Sequence, residues 1–444
     1  MSFRPAYVPI GVGTFHLESA RNEFDKSVSL LRSIDSGFSV PDDMLLSIDK
    51  LEAYLDGLNP DFIIVQNLTF ANAAYIYEVL RRFDCPLAIW TLREPVIDGT
   101  RLRLNSLTGA YSAANAACAF GRKFEYVFGS PDEDAVKDKL SAYTVAARII
   151  KEMKGLSLLQ VGHTPQGFGF GRALDAEMLS TFGVRLVSIE ARELIDRAKA
   201  YSAEETAEYL ADAKERICGL DEIKSENVDG FVRLYKSYKE YVEENKISAL
   251  ASRCWPDFFT AYGTPVCSVL GILNDLGIPC ACEADAYGAL SMFIAAQFTG
   301  RSVFFGDPVS MNEGENTLTF WHCGMAPCSL AREDTGACAG LHCNRKIGPT
   351  LEFGCKAEKC VTVFRIGRTP QGRFRLFAAR GEALDRPKQF YGTSIVVKTD
   401  SPADGIIDKS VRDGWEPHFA VAMGDIIDEV RALGNMLGLE VCEF

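Results

Sequence analysis

For about the first three hundred residues, short apolar runs alternate with longer amphipathic stretches, and after Pro308 that alternation stops. Strands spaced by helices build βαβ units around a mostly parallel sheet, because a parallel pair needs a long crossover that a helix supplies. Residues 7–11, 62–65, 87–91 and 126–128 read as short buried strands, with amphipathic helices over 27–35 and 71–83. A charged stretch at 132–139 leads into a helix ending near Gly155, and there the pattern restarts. Strands are expected at 156–161, 183–189, 247–251, 279–282 and 302–305, with a long charged helical region over 203–246.

Beyond Pro308, residues 317–322, 360–368, 373–379, 394–398 and 418–423 read as strands joined by Gly, Pro and Asp turns. With few helices between them they predict an antiparallel sheet or small barrel. Thr369-Pro-Gln-Gly372 suits a hairpin, since Pro sets φ and Gly tolerates a positive φ. A last helix follows Asp425, with Val430, Leu433 and Leu437 on one face. At 444 residues the chain is too long for one core. The expected organisation is α/β, with two α/β domains (1–154 and 155–308) and a C-terminal β domain with a final helix (309–444).

Sixty acidic against 47 basic residues give a net charge of −13. That argues against a nucleic-acid or anionic-membrane partner, which needs a basic face. No apolar run reaches the roughly 18 residues of a membrane span. The N-terminus lacks the basic and apolar regions of a secretory signal. A cytoplasmic protein is expected, with its fourteen cysteines kept as thiols by a reducing compartment.

Two carboxylates carry the chemistry. Glu283 follows the strand at 279–282, Asp307 follows the strand at 302–305, and 287–298 reads as a helix stopped by Gly300. On that reading both acids sit at carboxyl ends of consecutive strands of one βαβ unit, about 4.8 Å apart if the strands are neighbours. Converging carboxylates repel unless a cation or a proton lies between them, and oxygen ligands suit Mg²⁺ or Mn²⁺. The competing structural reading makes Glu283 or Asp285 a helix cap and Asp307-Pro308 a turn. Of only five histidines, His322 ends one strand and His418 begins another.

Cys282-Glu-Ala-Asp-Ala-Tyr-Gly-Ala-Leu290, Phe305-Gly-Asp307, His322-Cys-Gly324 and Trp415-Glu-Pro-His418, with Gly424 beyond, together resemble the L-fucose isomerase and L-arabinose isomerase superfamily. Arg253-Cys-Trp255 and Gly162-His-Thr-Pro-Gln-Gly167 resemble its fucose-isomerase-like branch. The likeness covers most of residues 155–444 in order and is weaker before them. It implies two Rossmann-like domains and a C-terminal β-barrel, a Mn²⁺ cofactor (Mg²⁺ or Co²⁺ as substitutes), and trimers or hexamers with sites between subunits. It also implies Glu283 and Asp307 as metal ligands and acid/base groups, His418 as a third ligand, and His322 at a position that ligates metal in the arabinose branch. The activity implied is aldose–ketose isomerisation of a small sugar. Such a reaction removes the C2 proton and returns one to C1, and a cation bridging O1 and O2 would stabilise the enediolate. A hydride shift is the mechanistic alternative.

Trp255 and Trp321 are candidate stacking surfaces for a sugar, with His322 and Arg253 as further contacts. Arg93, Arg253 and Arg345 lie near loops that could face the site, and two of them converging would point to an anionic sugar such as a 6-sulfo or 6-phospho aldose. Cys323, Cys328, Cys338, Cys343, Cys355 and Cys360 form three C-x4-C pairs, a spacing that also suits a structural metal. Gly162–Gly171 is glycine-rich but lacks Gly-Lys-Ser/Thr, so a loop bordering a sugar pocket is expected there rather than a nucleotide P-loop. Two rivals stand beside the isomerase: a sugar-binding regulatory protein, and a hydrolase using the same Glu/Asp/His set.

Overall fold

In the computed structural model, which describes residues 2–444, the chain divides into two compact units. The first runs to Glu152 and also contains Asp428–Leu439. Its four strands, β1 (Pro5–Ile10), β2 (Phe62–Asn67), β3 (Leu87–Thr91) and β4 (Glu125–Phe128), form a parallel sheet in sequence order. Alternate side chains of the inner strands serve opposite faces, as strand geometry requires. Ile63, Val65 and Ile89 pack with helices Ile48–Leu55, Ala73–Arg82 and Ser106–Ala119, whereas Phe62, Ile64 and Trp90 pack with Leu17–Ile34 and Asp134–Met153. Helices therefore cover both faces. That is why the strands read as continuous apolar runs.

The second unit holds Met153–Ile427 and Glu440–Phe444. Its parallel sheet contains β5 (Ser157–Val161), β6 (Arg185–Ile189), β7 (Ala249–Ser252) and β8 (Cys280–Cys282), ordered β6-β5-β7-β8. The charged region after β6 is three helices, Ala191–Ala200, Ala207–Arg216 and Ser225–Glu244.

The remaining strands are β9 (Phe304–Asn312), β10 (Thr317–His322), β11 (Cys338–Gly340), β12 (Thr350–Gly354), β13 (Glu358–Arg368), β14 (Phe374–Leu384), β15 (Thr393–Thr399), β16 (Phe419–Ala422) and β17 (Glu440–Glu443). Six of them, β15-β10-β9-β16-β13-β14, pair antiparallel, and β14 closes on β15 to make a barrel. Closure leaves these six without free edges. The β13–β14 hairpin turns at Thr369-Pro-Gln-Gly372, where Gly372 has φ +80° and its N–H donates to Thr369 O.

The cysteine expectation fails at one pair. Cys218 and Cys338 form a disulfide, because a backbone bridge (Cys218 N–H to Ala337 O, Ala339 N–H to Cys218 O) brings their Cα atoms to 4.6 Å. No helix is long and apolar enough to cross a membrane among the described residues.

Candidate metal and acid–base site

Strand β8 ends at Cys282, and the next two residues, Glu283 (φ 59°) and Ala284 (φ 55°), are both left-handed. For side chains with a Cβ this costs on the order of 1 kcal/mol each, and such strain persists where the surroundings enforce it. Asp285 then caps helix Ala286–Thr299: its Oδ1 accepts the Gly288 N–H at 2.8 Å. The helix stops at Gly300 in the left-handed region (φ 64°). Its packing is close enough to need glycine, since a Cβ on Gly288 would lie 2.7 Å from the Phe305 ring. Gly171 meets the same turn from the other side, where a Cβ would lie 2.8 Å from Asp285 Cα.

Asp307 arrives by another route than the sequence suggested. Its strand, β9, belongs to the barrel and not to the parallel sheet that ends at β8, so the two acids are not neighbouring strand ends of one βαβ unit. Asp307 lies within β9, in register with Trp321 of β10. On its other side β9 pairs with β16, Gly306 opposite Phe419, which sets His418 beside Asp307. The acids meet at this imidazole. Glu283 Oε2 lies 2.9 Å and Asp307 Oδ1 3.5 Å from His418 Nε2.

The other face of His418 is fixed by a buried ionic chain. Its Nδ1 lies 2.9 Å from Asp285 Oδ2, which also accepts from Arg365 Nη1 at 2.9 Å. Arg365 donates again to the His418 carbonyl at 2.8 Å, and its Nε lies 3.6 Å from Glu416 Oε2. Asp285 and Arg365 are wholly buried. A carboxylate on Nδ1 fixes the tautomer that leaves Nε2 toward the acids, the arrangement typical of a metal-binding histidine.

The electrostatics follow from this packing. Burial alone would lower the His418 imidazole, but hydrogen bonds to Asp285 and Glu283 and the nearby charges raise it to about 10. Burial would raise the Asp285 carboxyl, yet the Arg365 charge and the His418 hydrogen bond hold it well below the usual range. Glu283 is likewise held low against its burial, by the hydrogen bond and the charge of His418. Asp307 moves the other way, raised by burial and by repulsion from Glu283. Two facing carboxylates pushed apart in this manner suit different protonation duties.

One atom each from Glu283, His322 and His418 lie within 4.8 Å of one another, a spacing that can hold a metal ion. Among the described residues, none of the cysteines of the C-x4-C series joins such a group. The two histidines differ, however. The Cys323 N–H donates to His322 Nδ1 at 2.9 Å, which places the proton of the neutral ring on Nε2. That Nε2 is buried, has no hydrogen-bond partner, and lies 3.9 Å from Glu283 Oε2. Mixed oxygen and imidazole donors fit a first-row divalent ion, and an unpartnered buried donor fits an incoming oxygen.

Of the other residues singled out from sequence, Trp255 touches the cluster, its indole N–H 3.4 Å from Glu283 Oε1. Trp321 stacks on His322 (6.4 Å between ring centres) and donates its indole N–H to Tyr391 O. Arg253 is engaged elsewhere, by Asp257 at 2.9 Å and the Trp255 carbonyl at 3.1 Å. Arg93 lies in the first unit, paired with Glu133 at 2.7 and 2.9 Å. The glycine-rich segment borders the cluster: the Phe168 and Phe170 rings lie 6.4 and 5.1 Å from His418. Sequence reasoning missed Arg365 and Glu416 and treated Asp285 only as a cap. A lone arginine inside the apolar run Val361-Thr-Val-Phe-Arg-Ile366 was the available signal.

No protein-family model matches the sequence. Over 439 residues it is 58% identical to the sulfoquinovose isomerase of Clostridium sp. (strain MSTE9), covering 99% of this chain and 98% of that protein. It is 37% identical over 440 residues to the sulfoquinovose isomerase of Alkalicoccus urumqiensis (98% of each chain). The figure for that of Priestia aryabhattai is 36% over 438 residues (98% and 97%).

Proposed function

The chain belongs to the sulfoquinovose isomerase family, and from that premise we propose that it converts sulfoquinovose, a 6-sulfo aldose, into the corresponding 6-sulfo ketose. It is an aldose–ketose isomerase. The observation that supports the chemistry best is the convergence of Glu283 and Asp307 on His418 Nε2, at 2.9 and 3.5 Å.

Glu283, Asp307 and His418 would hold Mn²⁺, with Mg²⁺ or Co²⁺ as substitutes. When bound, the cation supplies a Lewis acid for the substrate oxygens at C1 and C2. The carboxylates share the proton transfers: one takes the C2 proton and returns it to C1, and the other relays the hydroxyl proton. His322, carrying its proton on Nε2, donates to a substrate oxygen, and Trp255 and Trp321 wall the sugar. The ordered motifs, from Cys282-Glu-Ala-Asp285 to Trp415-Glu-Pro-His418, favour placement in the L-fucose isomerase and L-arabinose isomerase superfamily. With that placement go modules at 1–154, 155–308 and 309–444, a cytoplasmic location, and a trimer or hexamer.

The test is incubation of Mn²⁺-loaded protein with sulfoquinovose in D₂O, followed by NMR. The expected result is the 6-sulfo ketose with deuterium at C1. Ketose without label would point to hydride transfer, or to an enediol route in which the carboxylate returns the C2 proton to C1 before it exchanges with solvent. No conversion across sulfonated, neutral and deoxy aldoses would overturn the reading.

Metal binding carries its own expectation. With its pKa raised to about 10, His418 holds a proton on Nε2 at neutral pH, and a metal ion must displace it. Calorimetric titration with Mn²⁺ in buffers of different ionisation heat should show about one proton released per ion, and affinity rising by up to about tenfold per pH unit below pH ~10. Binding without proton release would show that His418 is already unprotonated at Nε2 in the metal-free protein.

A further inference from the structure

We propose that Arg345 binds the sulfonate of the substrate, an inference that rests on the sulfo-sugar reading above. Arg345 sits on the loop between β11 and β12, and that loop is built to hold it. His342, 2% exposed, turns its Nδ1 inward to accept the N–H groups of Asn344 (3.3 Å) and Arg345 (3.4 Å). Two backbone bonds, His342 N–H to Ile347 O (2.9 Å) and Lys346 N–H to His342 O (2.8 Å), close the turn. The His342 ring in turn packs edge-on against Phe259, 4.8 Å between centres.

The guanidinium is positioned by two aromatic faces. Its central carbon lies 4.8 Å from the Phe259 ring centre and 5.3 Å from that of Trp255. Trp255 is the same indole whose N–H reaches Glu283. One ring therefore separates the reacting end of the site from a fixed positive charge. A hexose with C1 at the carboxylates and its sulfonate on C6 needs such a charge at a distance, not beside the cation.

Among the arginines near the cluster, Arg345 differs from Arg253 and Arg365 in lacking a counterion. Among the described residues no carboxylate lies within 4.0 Å of it, and its side chain makes no hydrogen bond. Arg253 and Arg365 also lie near the cluster, but Asp257 neutralises the first and Asp285 the second. A half-buried guanidinium stacked on rings keeps its edge N–H donors for a ligand, and a planar fork of donors matches the oxygens of a permanent oxyanion. Beside it, Cys343 and Asn344 of the same loop line a cavity of about 660 Å³ with Trp321, the register partner of Asp307.

The test compares wild type with Arg345→Met and Arg345→Gln on two substrates, sulfoquinovose and 6-deoxyglucose, which lacks only the sulfonate. Either variant should lose about 100-fold or more in kcat/KM on sulfoquinovose, mostly through KM, and change less than about threefold on 6-deoxyglucose. Arg345→Lys should recover part of the loss. Equal losses on both sugars, or none on sulfoquinovose, would overturn the proposal. A binding arm needs no turnover: calorimetry with the 6-sulfo alditol, which cannot isomerise, should show the same Arg345-dependent loss, with glucitol indifferent to the substitution. If the wild type binds the alditol through Arg345 yet isomerises neither sugar, the isomerase reading fails alone. If it isomerises sulfoquinovose and the variants bind and turn over as wild type does, this proposal fails alone.

Discussion

Glu283→Gln is expected to reduce kcat/KM on sulfoquinovose by at least about 10³-fold while the protein stays folded, because the change removes a charge without changing shape. The amide keeps an oxygen that can accept from Trp255, whose N–H lies 3.4 Å from Glu283 Oε1. It cannot match the carboxylate 2.9 Å from His418 Nε2, either as a proton acceptor or as an anionic ligand. Circular dichroism and urea unfolding should place the variant within about 1–3 kcal/mol of wild type, the scale of one charged hydrogen bond. Mn²⁺ affinity should fall along with activity. Near-normal turnover in a folded Glu283→Gln protein would remove Glu283 from the centre of the chemistry.

The strands of the first parallel sheet were legible because helices cover both of its faces. Such strands appear as short apolar runs such as Phe62–Asn67 and Leu87–Thr91, with caps and glycines marking the helices between. The same rule misplaced β9. Its first residues, Phe304 and Phe305, are as buried as those of any parallel strand, and they follow a helix ended by Gly300. Nothing local tells a barrel strand from a sheet strand when both are buried. The difference lies in pairing, Gly306 with Phe419 and Asp307 with Trp321, across about a hundred residues in the first case. Barrel closure between β14 and β15 was invisible for the same reason.

At the site, Glu283 and Asp307 both lie against His418 Nε2, but they do not arrive as strand ends of one βαβ unit. They come together through His418, which spacing alone could not raise above a structural histidine. The supporting residues were harder to see. Asp285 is a sound N-cap for Gly288, and that local role concealed its second oxygen, which is shared by Arg365 and His418. The cap reading was true but incomplete. Arg345 was noticed as one of three loop arginines. What separates it from Arg253 is the counterion Asp257, a contact the folded chain shows and the sequence spacing only permits.

Asp285→Asn should have the second large effect, on stability and metal affinity together. The amide that replaces the carboxylate would keep one oxygen for the Gly288 N–H or the His418 Nδ1 proton, and would turn an N–H₂ donor toward the Arg365 or His418 donors. Arg365, 0% exposed, would retain only Glu416 at 3.6 Å as a charge partner. Breaking a buried pair from one side costs about 3–5 kcal/mol, because the other charge stays buried. Loss of the carboxylate behind a ligating imidazole typically lowers metal affinity by about 10–100-fold. Adding Arg365→Met separates the two effects. With both charges gone, urea unfolding should recover part of the lost stability, short of wild type because the His418 carbonyl also loses its donor. Mn²⁺ affinity should stay low, since His418 still lacks the anion that fixes its tautomer. A double variant that recovers stability and metal affinity alike would make Asp285 a structural partner of Arg365 and nothing more.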